Sequence, residues 1–185
     1  MAEREDKRIR RTKKLLRQAL TRLMKEKDFG SITVTDVVRE ADINRGTFYA
    51  HYRDVYDLRE RIEADMIADF RSMIAGLRPG GPEALQQVLS RAVDYLEENR
   101  EIVIVLVQGS GGKGLSQKLI GVLEEYRLDV IQYRSVEDGY VSRFLATGVV
   151  GMLEKWITEP QPIPKNEMIT LMSKIIAPLL PRTGQ

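Results

Sequence analysis

Apolar residues recur every three or four positions along most of the chain, a spacing typical of amphipathic helices. After a disordered start at residues 1–6, this pattern predicts two short helices between residues 33 and 53, a long helix after Asp54, and further helices at 7–27, 82–99, 115–134, 136–158 and 164–177. The apolar run at 102–107 is short and β-branched enough for a buried strand, but its helical surroundings favour a buried helix. We therefore expect an all-α protein.

The most specific local pattern begins at Thr33, which stands three positions before Asp36. This spacing predicts a capping box at the start of a short helix. A tight turn is expected at residues 41–43. Asn44 is a good N-cap for a second helix at residues 45–52.

The second short helix has one apolar face and one polar face. Phe48 and Tyr52 are four positions apart and are expected to point into the core. The side chains left facing solvent are Arg45, Gly46, Thr47, Tyr49, Ala50 and His51. Two short helices joined in this way predict a helix-turn-helix, whose second helix enters the major groove of DNA.

Composition excludes several kinds of site. The 185 residues are 43% hydrophobic and 30% charged, an ordinary globular composition that allows one domain or a small one beside a larger one. There is no Cys and one His, so a disulfide scaffold, a thiolate metal site and a pair of imidazole ligands are all excluded. The chain has no apolar run long enough for a membrane span and no signal-peptide pattern, and we expect a cytoplasmic protein without a metal or cofactor.

Charge is distributed unevenly along the chain. Residues 1–60 hold 15 Lys and Arg against 11 Asp and Glu, although the whole chain has a net charge of only +2. Seven basic residues and no acid occur within residues 7–17. Such a run is usually a solvated helix face. Directly before a helix-turn-helix, however, we expect it to contact phosphates or the minor groove.

The segments INRGTFYAHYRDVYDL and ITVTDVVREAD resemble the DNA-binding region of the TetR/AcrR family of bacterial transcription regulators. The later segment YVSRFLATGVVGMLEKWI is similar to a subgroup common in Firmicutes. The resemblance implies a three-helix DNA-binding domain at residues 1–54 and a larger helical ligand-binding and dimerisation domain at 55–185. It also implies a homodimer that binds a palindromic operator in double-stranded DNA, and a repressor that a small ligand releases.

The chemistry of the side chains and their match to the family give the predicted DNA-facing set: Thr35, Asn44, Arg45, Gly46, Thr47, Tyr49, Ala50, His51 and Arg53. Arg45 is the first choice for reading a base, because a guanidinium can bond guanine O6 and N7 together. Tyr49 resembles the phosphate-binding tyrosine of the family. Many family members have a Lys where this chain has Val55, and Arg53 or the free N–H groups of the next helix are expected to replace that phosphate contact.

Two further sets fall in the second domain. An apolar or aromatic ligand is expected to meet residues from several helices: Met66, Phe70, Tyr95, Ile102, Leu106, Tyr126 and Trp156. For each of these residues alone, a place in the core is the commoner role. The expected dimer interface, a four-helix bundle formed with a second subunit, contains Phe144, Gly148, Gly151, Met152, Met168, Leu171 and Ile175. Gly148 and Gly151 are costly inside a helix, and the close approach of another helix would explain them.

Three features of the sequence bear on functions other than DNA binding. The glycine-rich segment 108–114 does not fit a phosphate-binding loop, since Val107 stands where the first Gly is required and Gly114 where Ser or Thr is required. No catalytic triad, metal cluster or paired-carboxylate cleft is apparent, so an enzyme is not expected. A helical adaptor that acts through protein contacts of its C-terminal domain remains the alternative.

Overall fold

The computed structural model describes residues 2–75, 81–109, 113–130 and 136–179, and all regular structure within these ranges is helical. The helices are α1 (Ala2–Glu26), α2 (Val34–Glu40), α3 (Arg45–Tyr49), α4 (Val55–Ala75), α5 (Gly81–Glu98), α6 (Arg100–Gln108), α7 (Lys113–Val130), α8 (Val136–Thr158) and α9 (Lys165–Ile176). Short 3₁₀ turns occur at Phe29–Ser31 and Ala177–Leu179. The predicted all-α class is confirmed, and the run at 102–107 is helical and largely buried.

The capping box at the start of α2 forms as predicted. The Thr33 hydroxyl accepts the Asp36 N–H at 3.2 Å, and the Asp36 carboxylate accepts the Thr33 N–H at 3.0 Å. In the turn that follows, Asp42 has a φ of 52°, in the left-handed region. Ile43 then donates its N–H back to the Val38 carbonyl at 3.0 Å, which closes the end of α2 and aims the chain toward α3.

Helix α3 is shorter than the sequence predicts. Asn44 caps it as expected, accepting the Thr47 N–H at 2.7 Å, and Phe48 and Tyr52 are buried as expected. The helix nevertheless ends at Tyr49 instead of residue 52. Because His51 and Tyr52 both donate their N–H groups to the Phe48 carbonyl at 2.9 Å, the chain tightens into a turn that leads to α4.

The helix-turn-helix pair packs on α1 and on the start of α4. Leu16, Leu20, Val37, Phe48 and Leu58 have no exposed surface and form the centre of this packing. The same apolar cluster continues through α4, α5 and α6 to α9, so the N-terminal helices share one continuous core with the rest of the chain. The domain boundary at residue 54 stays a prediction, although α4 does begin at Val55.

Helix α1 begins at Ala2, so the predicted disorder of the first residues is wrong for residues 2–6. The centre of the glycine-rich segment at 108–114 lies outside the described residues.

Candidate nucleic-acid interface

An exposed arginine stands at the start of α3, held by two neighbouring hydroxyls. The Arg45 guanidinium donates to the Thr35 hydroxyl on α2 and to the Tyr49 hydroxyl one turn along α3, each at 3.3 Å. It also lies 5.9 Å from the centre of the Tyr49 ring. These bonds are long and solvent-exposed. The guanidinium is therefore extended away from the core and can exchange its partners for acceptors on a base or a phosphate.

The residues around Arg45 hold the start of α3 in shape. The Asn44 amide oxygen accepts both the N–H and the hydroxyl of Thr47, at 2.7 and 3.0 Å. A Cβ at Gly46 would stand 3.3 Å from that same oxygen, so glycine leaves the cap undisturbed. Ala50 is exposed at the far end of the helix and adds no bulk to its outer face.

The turn after α3 carries two further predicted contacts. His51 is half-buried, with its ring 6.3 Å from the ring of Tyr52. Arg53 is largely exposed, and its guanidinium lies 3.8 Å from the Asp57 carboxylate. The backbone N–H of Arg53 donates to Asp57 at 2.9 Å, and this bond, followed by the one from Arg61, holds the pKa of Asp57 below its usual value. Asp57 stays ionised and fixes the turn, while the Arg53 side chain is left facing solvent.

The structure brings all nine predicted DNA-facing residues to α2, to α3 with its N-cap Asn44, and to the turn after α3, and none of them is buried. Val55 is buried in the core, so the side chain at this position does not reach the same surface. The next residue, Tyr56, is strongly exposed and packs its ring edge-on against Phe29, with 5.0 Å between the ring centres. The sequence interpretation missed Tyr56. An aromatic side chain in the first turn of α4, beside a buried valine, was the signal that could have found it.

The basic run of α1 adds positive charge. Its exposed members are Lys7, Arg8, Arg10, Arg11, Lys13 and Lys14. Arg17 differs, because its guanidinium donates to the Asn99 side chain at 2.7 Å, between α5 and α6. The run is thus part of a helix, and its last member is bonded to the C-terminal half of the chain.

Two family models match the chain. The model described as "Bacterial regulatory proteins, tetR family" matches residues 16–62, and the model described as "Transcriptional regulator C-terminal region" matches residues 83–178, just over half of the chain. The chain belongs to the TetR family. Members of this family are DNA-binding transcription regulators and not enzymes, which agrees with the exposed helix-turn-helix described above.

Individual relatives fit this TetR-family assignment. Over 54 residues the chain is 39% identical to the uncharacterized HTH-type transcriptional regulator YxbF of Bacillus subtilis (strain 168), an alignment that spans 29% of this chain and only 14% of that protein. The dihydroxyacetone kinase operon activator DhaS has a similar structure, with a TM-score of 0.63 at 20% identity over 91% of this chain and 93% of DhaS. A TetR regulator from Streptococcus agalactiae 2603V also has a TM-score of 0.63, at 21% identity over 96% of this chain and 99% of its own. Because their sequence identities to this chain are low, these two structures show that the fold is shared and nothing further.

The TetR-family protein has a cavity of about 50 Å³ enclosed by helices α4 to α8. Three predicted residues, Met66, Phe70 and Tyr95, line it. Nearly all of its surface is carbon, apart from a polar pair in which the Ser116 hydroxyl donates to Glu154 at 3.1 Å. A volume of this size has room for a few water molecules or a small apolar group.

Two predicted lining residues on α6 do not reach the cavity. Val103 and Val107 line it, whereas Ile102 and Leu106 are buried in the core on an adjacent face of the same helix. One position along an α-helix is a rotation of about 100°. The sequence identified the correct helix, but its periodicity did not fix which buried face meets the cavity.

Trp156 and Tyr126 also lie outside the cavity lining. Trp156 is buried and donates its indole N–H to the Ile163 carbonyl at 2.8 Å, which fixes the ring toward the connection before α9. Tyr126 is half-buried on α7, where burial raises the pKa of its hydroxyl. Neither position was distinguishable from a cavity position by spacing alone.

The predicted dimer face of α8 and α9 is largely uncovered in this protomer. Phe144 is 69% exposed, and Leu171 and Ile175 are exposed as well. Gly148 and Gly151 are exposed, and no other described part of the protomer comes within 4 Å of where a Cβ would stand at either one. The close helix approach expected at these glycines is therefore not made within the described part of this subunit.

Met152 and Met168 lie differently from the rest of that set. Met152 is half-buried, and Met168 is only 3% exposed because it packs into the core of its own subunit. The placement of Met168 on an intersubunit surface is corrected accordingly. Val136 and Tyr140, which the prediction omitted, are strongly exposed and continue the stripe of Phe144 at four-residue spacing along α8.

None of the helices in the described ranges combines the length and apolar character needed to cross a membrane. Within those same ranges, no group of His, Asp and Glu side chains is arranged to hold a metal ion.

Proposed function

We propose that this TetR-family protein is a homodimeric repressor that binds a palindromic operator and is released by a small apolar ligand. The observation that carries the proposal is the position of Arg45, exposed at the start of α3 and oriented by Thr35 and Tyr49. A second observation, the carbon-lined cavity among α4 to α8, supports the ligand.

On DNA, α3 enters the major groove with its first residues toward the base edges. Arg45 pairs with a guanine and contributes sequence preference, because it can bond O6 and N7 together. Tyr49, Arg53 and Tyr56 contact the phosphates beside that groove, and the exposed basic residues of α1 add affinity for any sequence. The phosphate contacts fix the orientation of the protein on the duplex, whereas the base contact selects the DNA sequence.

The second subunit covers the exposed stripe on α8 and α9. Phe144, Leu171 and Ile175 supply apolar area, and Gly148 and Gly151 let a helix of the partner approach closely. A two-fold axis through this face relates the two copies of α3. In a dimer that fits two successive major grooves, the copies lie about 34 Å apart.

A ligand releases the operator if it binds better to the DNA-incompetent arrangement of the dimer than to the competent one. The carbon lining of the cavity favours an uncharged apolar or aromatic molecule. Whether binding represses or activates also depends on where the operator lies relative to the promoter. The structural neighbour DhaS is named an operon activator, so a reporter assay with the natural upstream region is the direct test of repression.

The test of DNA binding is selection of bound sequences from random duplexes with the purified full chain, followed by salt titration on the enriched site. We expect an enriched palindrome and an affinity that falls steeply with salt. Arg71, an exposed arginine on α4 that pairs with Glu125, provides the matched control. Arg71→Ala should retain the palindrome, whereas Arg45→Ala should relax the sequence preference. No enrichment, together with a stable heteromeric partner, would favour the helical adaptor instead.

A further inference from the structure

Tyr95 belongs both to the cavity wall and to a polar cluster outside it. Its ring lines the cavity from α5, while its hydroxyl donates to the Asp69 carboxylate on α4 at 2.9 Å. Burial, and then the bond to Asp69, raise the pKa of the Tyr95 hydroxyl. The hydroxyl therefore keeps its proton at physiological pH and remains a donor to α4.

The same cluster reaches the DNA-binding helices through α1. The Arg17 guanidinium donates to the Asn99 side-chain oxygen at 2.7 Å, and the Asn99 amide donates to the Tyr95 carbonyl at 2.8 Å. Arg17 also lies beside the Tyr95 hydroxyl, where its charge partly opposes the rise in the tyrosine pKa. The four residues Arg17, Asp69, Tyr95 and Asn99, here called the Tyr95 cluster, thus join α1, α4 and α5.

The other polar residues of the cavity wall do not make this connection. Ser116 and Glu154 bond to each other and link α7 to α8. Met66 and Phe70 lie on α4 itself but have no polar group that could join it to another helix. Within the described lining, Tyr95 is therefore the residue whose ring touches the cavity and whose hydroxyl bonds to α4, while its main-chain carbonyl is linked through Asn99 to Arg17 of α1.

We propose that Tyr95 is the positioning residue that converts occupancy of the cavity into release of α1 and α4. This inference rests on the proposed ligand control. Because the cavity holds only about 50 Å³, any larger occupant displaces wall side chains. A displaced Tyr95 ring withdraws its hydroxyl from Asp69 and from the neighbouring Arg17 guanidinium, the group that also bonds Asn99. The start of α4 and the apolar face of α1 share one core with the recognition helix pair, so their release changes how the pair is held against DNA.

The experiment replaces the unknown ligand with a larger side chain in the cavity wall. Ala92 is buried, lines the cavity and stands one helical turn before Tyr95, so Ala92→Leu places carbon where a ligand would sit. Tyr95→Phe removes only the hydroxyl and keeps the ring. Tyr126→Phe, which removes a hydroxyl from a half-buried tyrosine outside the cavity, is the matched control. Affinity for the selected operator duplex and amide hydrogen exchange of α1 and α4 are measured for each folded variant.

We expect Ala92→Leu and Tyr95→Phe each to weaken operator binding by about tenfold, a factor typical of coupling between two sites. The double variant should be no weaker than the stronger single variant, because both substitutions break the same connection. Hydrogen exchange around Arg17 and Asp69 should rise in both single variants and stay unchanged in Tyr126→Phe. If Ala92→Leu does not fold, Ala92→Val places a smaller side chain in the cavity, and the same direction of change in affinity and hydrogen exchange is expected.

Several results would overturn the role of Tyr95. One is an unchanged exchange pattern in Tyr95→Phe, and another is a double variant whose loss of affinity is the product of the two single losses. A wild-type chain that binds no DNA would instead refute the proposed function. The hydrogen-exchange comparison would then still decide whether Tyr95 holds α1 and α4, so the two failures are distinguishable.

Discussion

Glu63 is the buried centre of an ion triad with Arg59 and Lys118, and replacing it should destabilise the fold strongly. It is 4% exposed on α4, and its carboxylate accepts from Arg59 at 2.9 Å and from Lys118 of α7 at 2.6 Å. Arg59 is also buried, with its guanidinium 4.8 Å from the centre of the Phe29 ring. The triad joins the turn after α1 to α4 and α7.

The size of the effect follows from burial. Removing one partner of a buried ion pair costs about 3–5 kcal/mol, because a charge is left in a poorly solvated place. Arg59 keeps its other contacts, including the Phe29 ring, so we expect Glu63→Gln to lie at the lower end, about 3 kcal/mol. Lys118 is nearly half exposed and can be solvated by water. Lys118→Met should therefore cost about 1 kcal/mol or less.

Urea unfolding at a fixed protein concentration measures these differences through the midpoint and the slope. Glu101→Gln is the matched control, because Glu101 also accepts from a lysine, Lys25 at 2.9 Å, but is 73% exposed. It should change the free energy of unfolding by less than about 0.5 kcal/mol. If Glu63→Gln costs no more than Glu101→Gln, burial does not set the strength of this triad and the reasoning is refuted.

Three further predictions concern DNA binding, pH and assembly. Arg45→Ala should reduce discrimination between the selected site and scrambled DNA by about 1–3 kcal/mol, whereas Tyr49→Phe should weaken binding to both. If Arg45→Ala lost equal affinity for the selected and the scrambled DNA, base reading by Arg45 would be contradicted. The bond from Lys27, followed by those from Thr33, holds the pKa of Asp36 below its usual value, so its stabilising effect is present above about pH 4 and declines as pH falls below it. The stability difference between wild type and Asp36→Asn, from urea midpoints, should accordingly shrink in acid, and a constant difference would count against this assignment. Phe144→Glu should shift the chain toward monomer in analytical ultracentrifugation without unfolding it, because the side chain is exposed in the protomer; an unchanged dimer would place the interface elsewhere.

The helix-turn-helix was predictable because its determinants are local. Thr33 and Asp36 cap α2 within three residues of each other, and Asn44 caps α3 in the same way. The burial of Phe48 and Tyr52 follows from a spacing of four. The early end of α3 was not predictable from propensity, since it depends on how the Phe48 carbonyl is shared by the two N–H groups that follow.

The cavity and the α8–α9 face depend on contacts between distant segments, and there the sequence was less informative. Apolar spacing marks a buried face without saying whether a cavity, the core or another subunit covers it. Leu106 and Met168 are two such cases, since both are buried in the core of this protomer. Gly148 is the opposite case, because its small size indicates a close neighbour that the described protomer does not supply.

The Glu63 triad joins α4 to α7, and the Tyr95 cluster joins α4 to α5 and α1. These two polar connections differ in physical character. In the triad, Glu63 and Arg59 are charged and deeply buried on α4, so separating them leaves charges without solvent and should be rare in the folded protein. Lys118 of α7, the third member, is nearly half exposed. In the Tyr95 cluster a neutral hydroxyl and an amide take part, and its members are half-buried or exposed, so water can replace a lost bond at lower cost. We therefore expect the part of α4 around Glu63 to stay in place while the contact between α4 and α5 changes. Hydrogen exchange that is slower around Glu63 than around Asp69 on the same helix would agree with this division, and the reverse order would contradict it.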